Sequence, residues 1–172
     1  MTNVLPTRVF DCWDALYDLL AAQTWPVHPS TGVKPTVRFS GTKEQALEMI
    51  TVPGMLEAPN PTAQQEVMGV VGDDETFTLV VHLFSMVPGY VDTTHGGDPS
   101  RAVRQRIRDL TYIVLNAVRD PTTGRPAGTQ LLALLNVWNW FPSAPAIPAV
   151  APLEQNGFGA SCTVRITFQA RI

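Results

Sequence analysis

Apolar residues recur at helical spacing near the start of the chain: Val9, Trp13, Leu16, Leu19 and Leu20 share a face, and Asp11, Asp14 and Asp18 fall between them. The pattern predicts an amphipathic helix over 6–23 with an acidic stripe. It ends before Trp25-Pro26, because a residue preceding proline is pushed out of the helical region. Three prolines and Gly32 make residues 24–35 a loop. A short strand is expected over 37–40. Thr42, placed as a cap ahead of Ala46, Leu47, Met49 and Ile50, predicts one or two turns of helix. Pro53, Pro59 and Pro61 then break the chain until residues 66–71, which read as a strand ending at Gly72-Asp73-Asp74. Residues 77–87 are rich in β-branched and aromatic types. They predict a second strand, joined to the first in an antiparallel hairpin through a solvated turn at Asp73-Asp74-Glu75.

Residues 90–99 form a polar loop, and Asp98-Pro99 supplies a capping carboxylate followed by a proline suited to the first helical position. Val103, Ile107, Leu110, Val114 and Ala117/Val118 give the helix that follows its apolar face, and Asp120-Pro121 stops it. A strand is expected over 131–141, with Trp138 and Trp140 on one face and read as core, then an apolar Pro- and Ala-rich loop over 142–152. The last segment alternates: Cys162, Val164, Ile166, Phe168 and Ala170 on one side, Ser161, Thr163, Arg165, Thr167, Gln169 and Arg171 on the other. That is a strand with one buried face. The order α-β-β-β-α-β-β over 1–172 predicts one α+β domain, with two main helices packed on one side of a mostly antiparallel sheet of four to five strands.

Composition narrows the function classes. The 172 residues are 45 % hydrophobic and 16 % charged, as in ordinary globular chains. The net charge of -3 gives no global attraction for nucleic acid or an anionic membrane. No apolar run approaches the roughly 20 residues that span a bilayer, and the N-terminal residues lack the pattern of a secretory signal, so synthesis in a cytoplasm is expected. Cys12 and Cys162 have no CxxC spacing and read as reduced core residues. His28, His82 and His95 are scattered without a second ligand at metal spacing, and neither phosphate-cradling loops nor nucleophile elbows occur. No cofactor, metal or catalytic residue is therefore expected. The one alternative of an enzymatic or ligand-binding kind would gather His82, His95 and Asp98 in a pocket.

Charge placement carries more information. Four of the twelve basic residues, Arg101, Arg104, Arg106 and Arg108, crowd the start of the second helix, where the macrodipole disfavours positive charge by about 0.3–1 kcal/mol each. Arg101, Arg104 and Arg108 repeat the i, i+3, i+7 spacing of Asp11, Asp14 and Asp18. Two stripes of opposite sign and equal period suit a contact between neighbouring copies. The plainer reading, and the weightier one on sequence alone, is two ordinary solvated faces, since exposed ion pairs contribute only ~0–1 kcal/mol. A single helical stripe without interleaved aromatics is a poor platform for single-stranded nucleic acid.

Several of these features together resemble the tail terminator proteins of long-tailed, siphovirus-type bacteriophages. They are the first helix with Val9-Phe10-Asp11 and Ala15-Leu16, the long strand over 77–87, the Arg-rich helix ending in Val118-Arg119-Asp120-Pro121, and the closing strand over 159–171. The resemblance implies a homo-oligomeric, typically hexameric ring at the neck of the virion. Such a ring caps the head-proximal end of the tail tube, ends its polymerisation and joins it to the head. It would have no catalytic residues. The implied partners are further copies of the chain, the major tail tube protein and a head-completion or stopper protein, with genome DNA passing through the ring and no sequence-specific nucleic acid contact. Asp11, Asp14, Asp18, Arg101, Arg104 and Arg108 would line the subunit interface. Head–tail connectors and tail tube subunits build rings from similar small domains. The segments 53–65 and 141–152 depart from the family's pattern and are candidates for arms reaching a neighbour.

Overall fold

Two fifteen-residue strands form the spine of the molecule. In the computed structural model, which describes residues 8–39, 47–52, 64–66, 74–88, 99–143, 149–153 and 157–171, the chain runs α1 (Val9–Ala21), β1 (Thr36–Arg38), β2 (Glu48–Thr51), β3 (Gln64–Glu66), β4 (Asp74–Pro88), α2 (Pro99–Val118), α3 (Thr129–Leu132), β5 (Val137–Pro142), β6 (Ala149–Leu153) and β7 (Gly157–Arg171). β4 and β7 pair antiparallel along their whole length, from Asp74↔Arg171 to Pro88↔Gly157. Period-two side chains then sort onto two faces. Phe77, Leu79, Val81 and Leu83 sit opposite Phe168, Ile166, Val164 and Cys162, and all eight are buried. Ser161, Thr163, Arg165, Thr167, Gln169 and Arg171 give β7 a polar second face, cross-linked to β4 by Thr78–Thr167 and His82–Thr163 hydrogen bonds of 3.0 Å.

The fold is α+β, as the pattern predicts, but the sheet is larger. Its strands follow the order β1-β2-β4-β7-β5, with β3 on β4 and β6 on β7, making seven, and every pairing is antiparallel except β1 with β2. The helix expected over 42–50 is not found at its described end. Residues 48–51 are strand β2, where Glu48 and Ile50 point to the core and pair with Ser85 and Leu83; the rest of that segment lies outside the described residues. The strand expected over 131–141 starts only at Val137. Leu131 belongs to α3, and Asn136, at φ 64°, turns the chain between the two. The end of the expected 142–152 loop is strand β6, which β7 can recruit because its N-terminal half extends past β5. The antiparallel pairing ahead of β4 exists, but through Gln64–Glu66; residues 67–73 lie outside the described residues. Asp74 and Glu75 belong to β4 rather than to a solvated turn.

Both main helices bury their apolar faces against the same side of the sheet. Val103, Ile107, Leu110, Val114 and Val118 of α2 and Leu16, Leu19 and Leu20 of α1 join the sheet's core residues in one cluster. The helix ends are closed by tryptophans. The indole N–H of Trp25 donates to Leu20 O at 2.9 Å and that of Trp140 to Val118 O at 2.7 Å; each of these last-turn carbonyls also accepts a backbone N–H from beyond its helix, from Gln23 at 3.2 Å and Ala127 at 3.0 Å. At the other end of α1, the backbone N–H of Arg8 donates to the buried carboxylate of Glu75 at 2.9 Å, a negative group where the macrodipole favours one.

One charged side chain of α2 turns inward. Arg106 forms a two-pronged ion pair with Glu48, Nε to Oε1 at 2.6 Å and a terminal nitrogen to Oε2 at 2.7 Å, and also donates to Pro26 O at 2.7 Å. Ser85 Oγ donates to the same carboxylate at 2.9 Å, and only 2 % of the Glu48 side chain is exposed. Arg106→Ala would leave a buried carboxylate without its counter-charge and should lower stability by about 3–5 kcal/mol. Urea denaturation checks this; replacing both partners with apolar residues of similar volume should recover most of the loss.

Candidate functional site

The acidic and basic stripes are both on the surface. Asp11, Asp14 and Asp18 are exposed along α1, as are Arg101, Arg104 and Arg108 along α2. The reason is the helical period: each stripe falls opposite the apolar residues that its helix buries. Asp11 is held within its own chain by Arg8, 2.9 Å away. Asp14 and Asp18 have no side-chain partner among the described residues, nor do the three arginines, and no ion pair links one stripe to the other within the chain. Arg106 is not part of the basic surface, since its charge is spent on Glu48.

The arginines border a shallow groove. Arg101, Arg104, Gln105 and Arg108 line a space of about 330 Å³, and Gln105 is steadied by its hydrogen bond to Asp109 at 2.8 Å. Tyr112, 55 % exposed, continues the same face one turn further on. Guanidinium groups in such a row present planar forks of donors that match carboxylates two bonds at a time. The groove thus offers concentrated positive charge with nothing of this chain to neutralise it among the described residues.

Beside the acidic stripe lies a row of rings that periodicity alone did not single out. Phe10 is 63 % exposed, Trp13 and Tyr17 are half-buried, and Phe39, just after β1, joins them from outside the helix. Tyr17 stacks on Phe39 at 3.9 Å between centroids, Trp13 meets Phe39 edge-on at 5.5 Å, and Phe10 stands 6.5 Å from Trp13. The indole N–H of Trp13 donates to Val52 O at 2.6 Å, fixing the centre of the row. The sequence signal for it was the i, i+3, i+7 run of Phe10, Trp13 and Tyr17, read there only in part, as one side of an amphipathic helix.

The two tryptophans of β5 part company. Trp140 is buried against Phe168, whereas Trp138 is 51 % exposed, with the Arg171 guanidinium 5.9 Å from its ring centre. A bulge causes this: Val137 faces Ala170 and Asn139 faces Gln169, so Trp138 is the extra residue and leaves the face it would share with Trp140. Leu132 and Leu135, in and just after α3, are exposed as well.

Of the groups that a pocket would need, His82 lies on the polar face of β4 with Nδ1 3.0 Å from Thr163 Oγ1, while His95 and Asp98 lie outside the described residues. His28 is buried; Nδ1 accepts the Ser30 N–H at 3.2 Å, which leaves Nε2 to donate to Met86 O at 3.0 Å, and the ring pins loop 24–35 to β4. Among the described residues no three His, Cys, Asp or Glu side chains converge as metal donors would, and no helix is long and apolar enough to cross a membrane. Compared with known proteins, the chain matches no family model and no curated protein sequence.

Reversing the charge of Arg104 and Arg108 should leave the fold intact, because both are exposed; for a chain that associates with its copies through the two stripes, it should weaken that association, and reversing Asp14 and Asp18 in the same chain should partly restore it, as read by light scattering. Cys12, under the acidic stripe, has its thiol pushed up from 9.0 to about 12, mainly by burial and then by the charges of Asp11 and Glu75. Between those values an unfolded chain sheds the proton and the native chain keeps it, so the native state loses stability as the pH rises through that window. Near pH 8 an aromatic disulfide reagent should find neither buried thiol, Cys12 nor Cys162, in the native protein and both in denaturant.

Proposed function

We propose that this chain is a structural subunit that assembles with copies of itself into a closed ring, and that the ring is a tail terminator of a long-tailed bacteriophage. The observation that carries the reading is the pair of stripes: exposed charges of opposite sign and equal period, on two different helices, unsatisfied by each other within the chain. A surface that complements a different surface of the same molecule makes a head-to-tail contact, and repeated rotation closes such contacts into a ring. The resemblance in the Arg-rich helix and the two long strands supports placing the ring at the end of a tail tube. In that position it would stop tube growth and present a docking face to the head-completion protein, and it would work by shape and contact rather than by chemistry.

Electron microscopy of the purified protein, alone and mixed with tail tube protein from the same particle, tests this. The expected result is closed rings of a single size, hexameric by mass, seated at one end of the tubes. Monomers under both conditions would refute the ring, and rings that ignore tube ends would refute the terminator role.

A further inference from the structure

The row of rings beside α1 leaves part of its apolar surface in water, most of all at Phe10. Four aromatic side chains touch in sequence, Phe10, Trp13, Phe39 and Tyr17, and the hydrogen bond from Trp13 to Val52 O holds the row in place. Rigid aromatic surface loses little conformational freedom when it is covered, which is why such residues concentrate at the centres of protein interfaces. Asp14 and Asp18 flank the row by helical spacing, one step round the helix from Phe10 and Tyr17. The surface is therefore an apolar strip with carboxylates along one margin.

We propose that this strip is the apolar centre of a docking surface for a second copy of the chain, and that its occupant is the Arg104 and Arg108 face of α2. The two faces are chemically complementary. An arginine has a flat face that stacks on an aromatic ring and an edge of N–H donors that grips a carboxylate. A strip with rings on one side and carboxylates beside them satisfies both at once; lysine, a point charge, would use only the second. The α2 face supplies Arg101, Arg104 and Arg108, with the exposed ring of Tyr112 one turn beyond them. Arg104 and Arg108 lie across the rings, Phe10 packs against their aliphatic stems, and Asp14 and Asp18 receive their donors. This inference rests on the ring reading and adds which faces meet.

A pair of single substitutions tests it. Chains carrying Asp14→Cys and chains carrying Arg104→Cys, each full length, are treated with a short bismaleimide separately and as a mixture; the two native thiols are buried. The expected result is a cross-linked dimer in the mixture and little in either chain alone. Adding Phe10→Ser to the first chain should slow cross-linking about tenfold, and Arg104→Lys with Arg108→Lys should reduce wild-type association by a similar factor despite unchanged charge. Equal cross-linking in each chain alone would show a face meeting its own copy and overturn the proposal. So would an unaltered rate with Phe10→Ser. Rings formed by the wild-type chain, together with no cross-link in the mixture of the two variants, overturn this docking and leave the ring standing, whereas no assembly with or without tail tube removes both.

Discussion

The ion pair between Arg106 and Glu48 holds the architecture together at the point where its parts meet. Glu48 sits on β2 with its carboxylate inside the protein, tolerable only because Arg106 and Ser85 saturate it. Arg106 in turn comes from α2 and also grips Pro26 O of the loop after α1. One guanidinium thus fixes the position of the second helix, a strand near the sheet's margin and the loop that leads to β1. The placement of the basic stripe depends on this, because α2 is rotated so that Arg106 points in while Arg101, Arg104 and Arg108 point out.

This division of labour explains what the sequence made legible. Period-two alternation in β7 and the apolar face of α2 predicted elements and buried residues correctly, since each is long and sees one uniform environment on each side. The short elements escaped. Leu47, Met49 and Ile50 fit a helical turn or a strand equally well over so few residues, and what decides for strand is the partner β4, which lies more than thirty positions away. Val137 to Phe141 was recognised as strand, but the bulge that turns Trp138 outward leaves no mark that alternation can detect.

The candidate interface was legible in part for the same reason. Charges spaced for one face of a helix announce themselves, and the structure exposes all six of the stripe residues. Sequence could not tell that Arg106, amid three surface arginines, is committed to the core, because its partner is 58 positions distant. Nor could it show the row of rings, since Phe39 reaches Trp13 and Tyr17 only once β1 has been brought beside α1. The same holds for Glu75, which an acidic run made to look like turn surface and which instead anchors the start of α1.

The tryptophans that close the helices have a consequence of an optical kind. Trp25 and Trp140 are buried with their N–H groups fixed on the carbonyls Leu20 O and Val118 O, whereas Trp138 stands half in water beside a guanidinium. The emission of the folded chain is therefore a sum of four reporters: two buried ones, each attached to one helix end, the half-buried Trp13 in the row of rings, and the exposed Trp138 at the outer margin of the sheet. A soluble quencher reaches Trp138 first, so the molecule's own fluorescence distinguishes an event at that margin from the fraying of either helix.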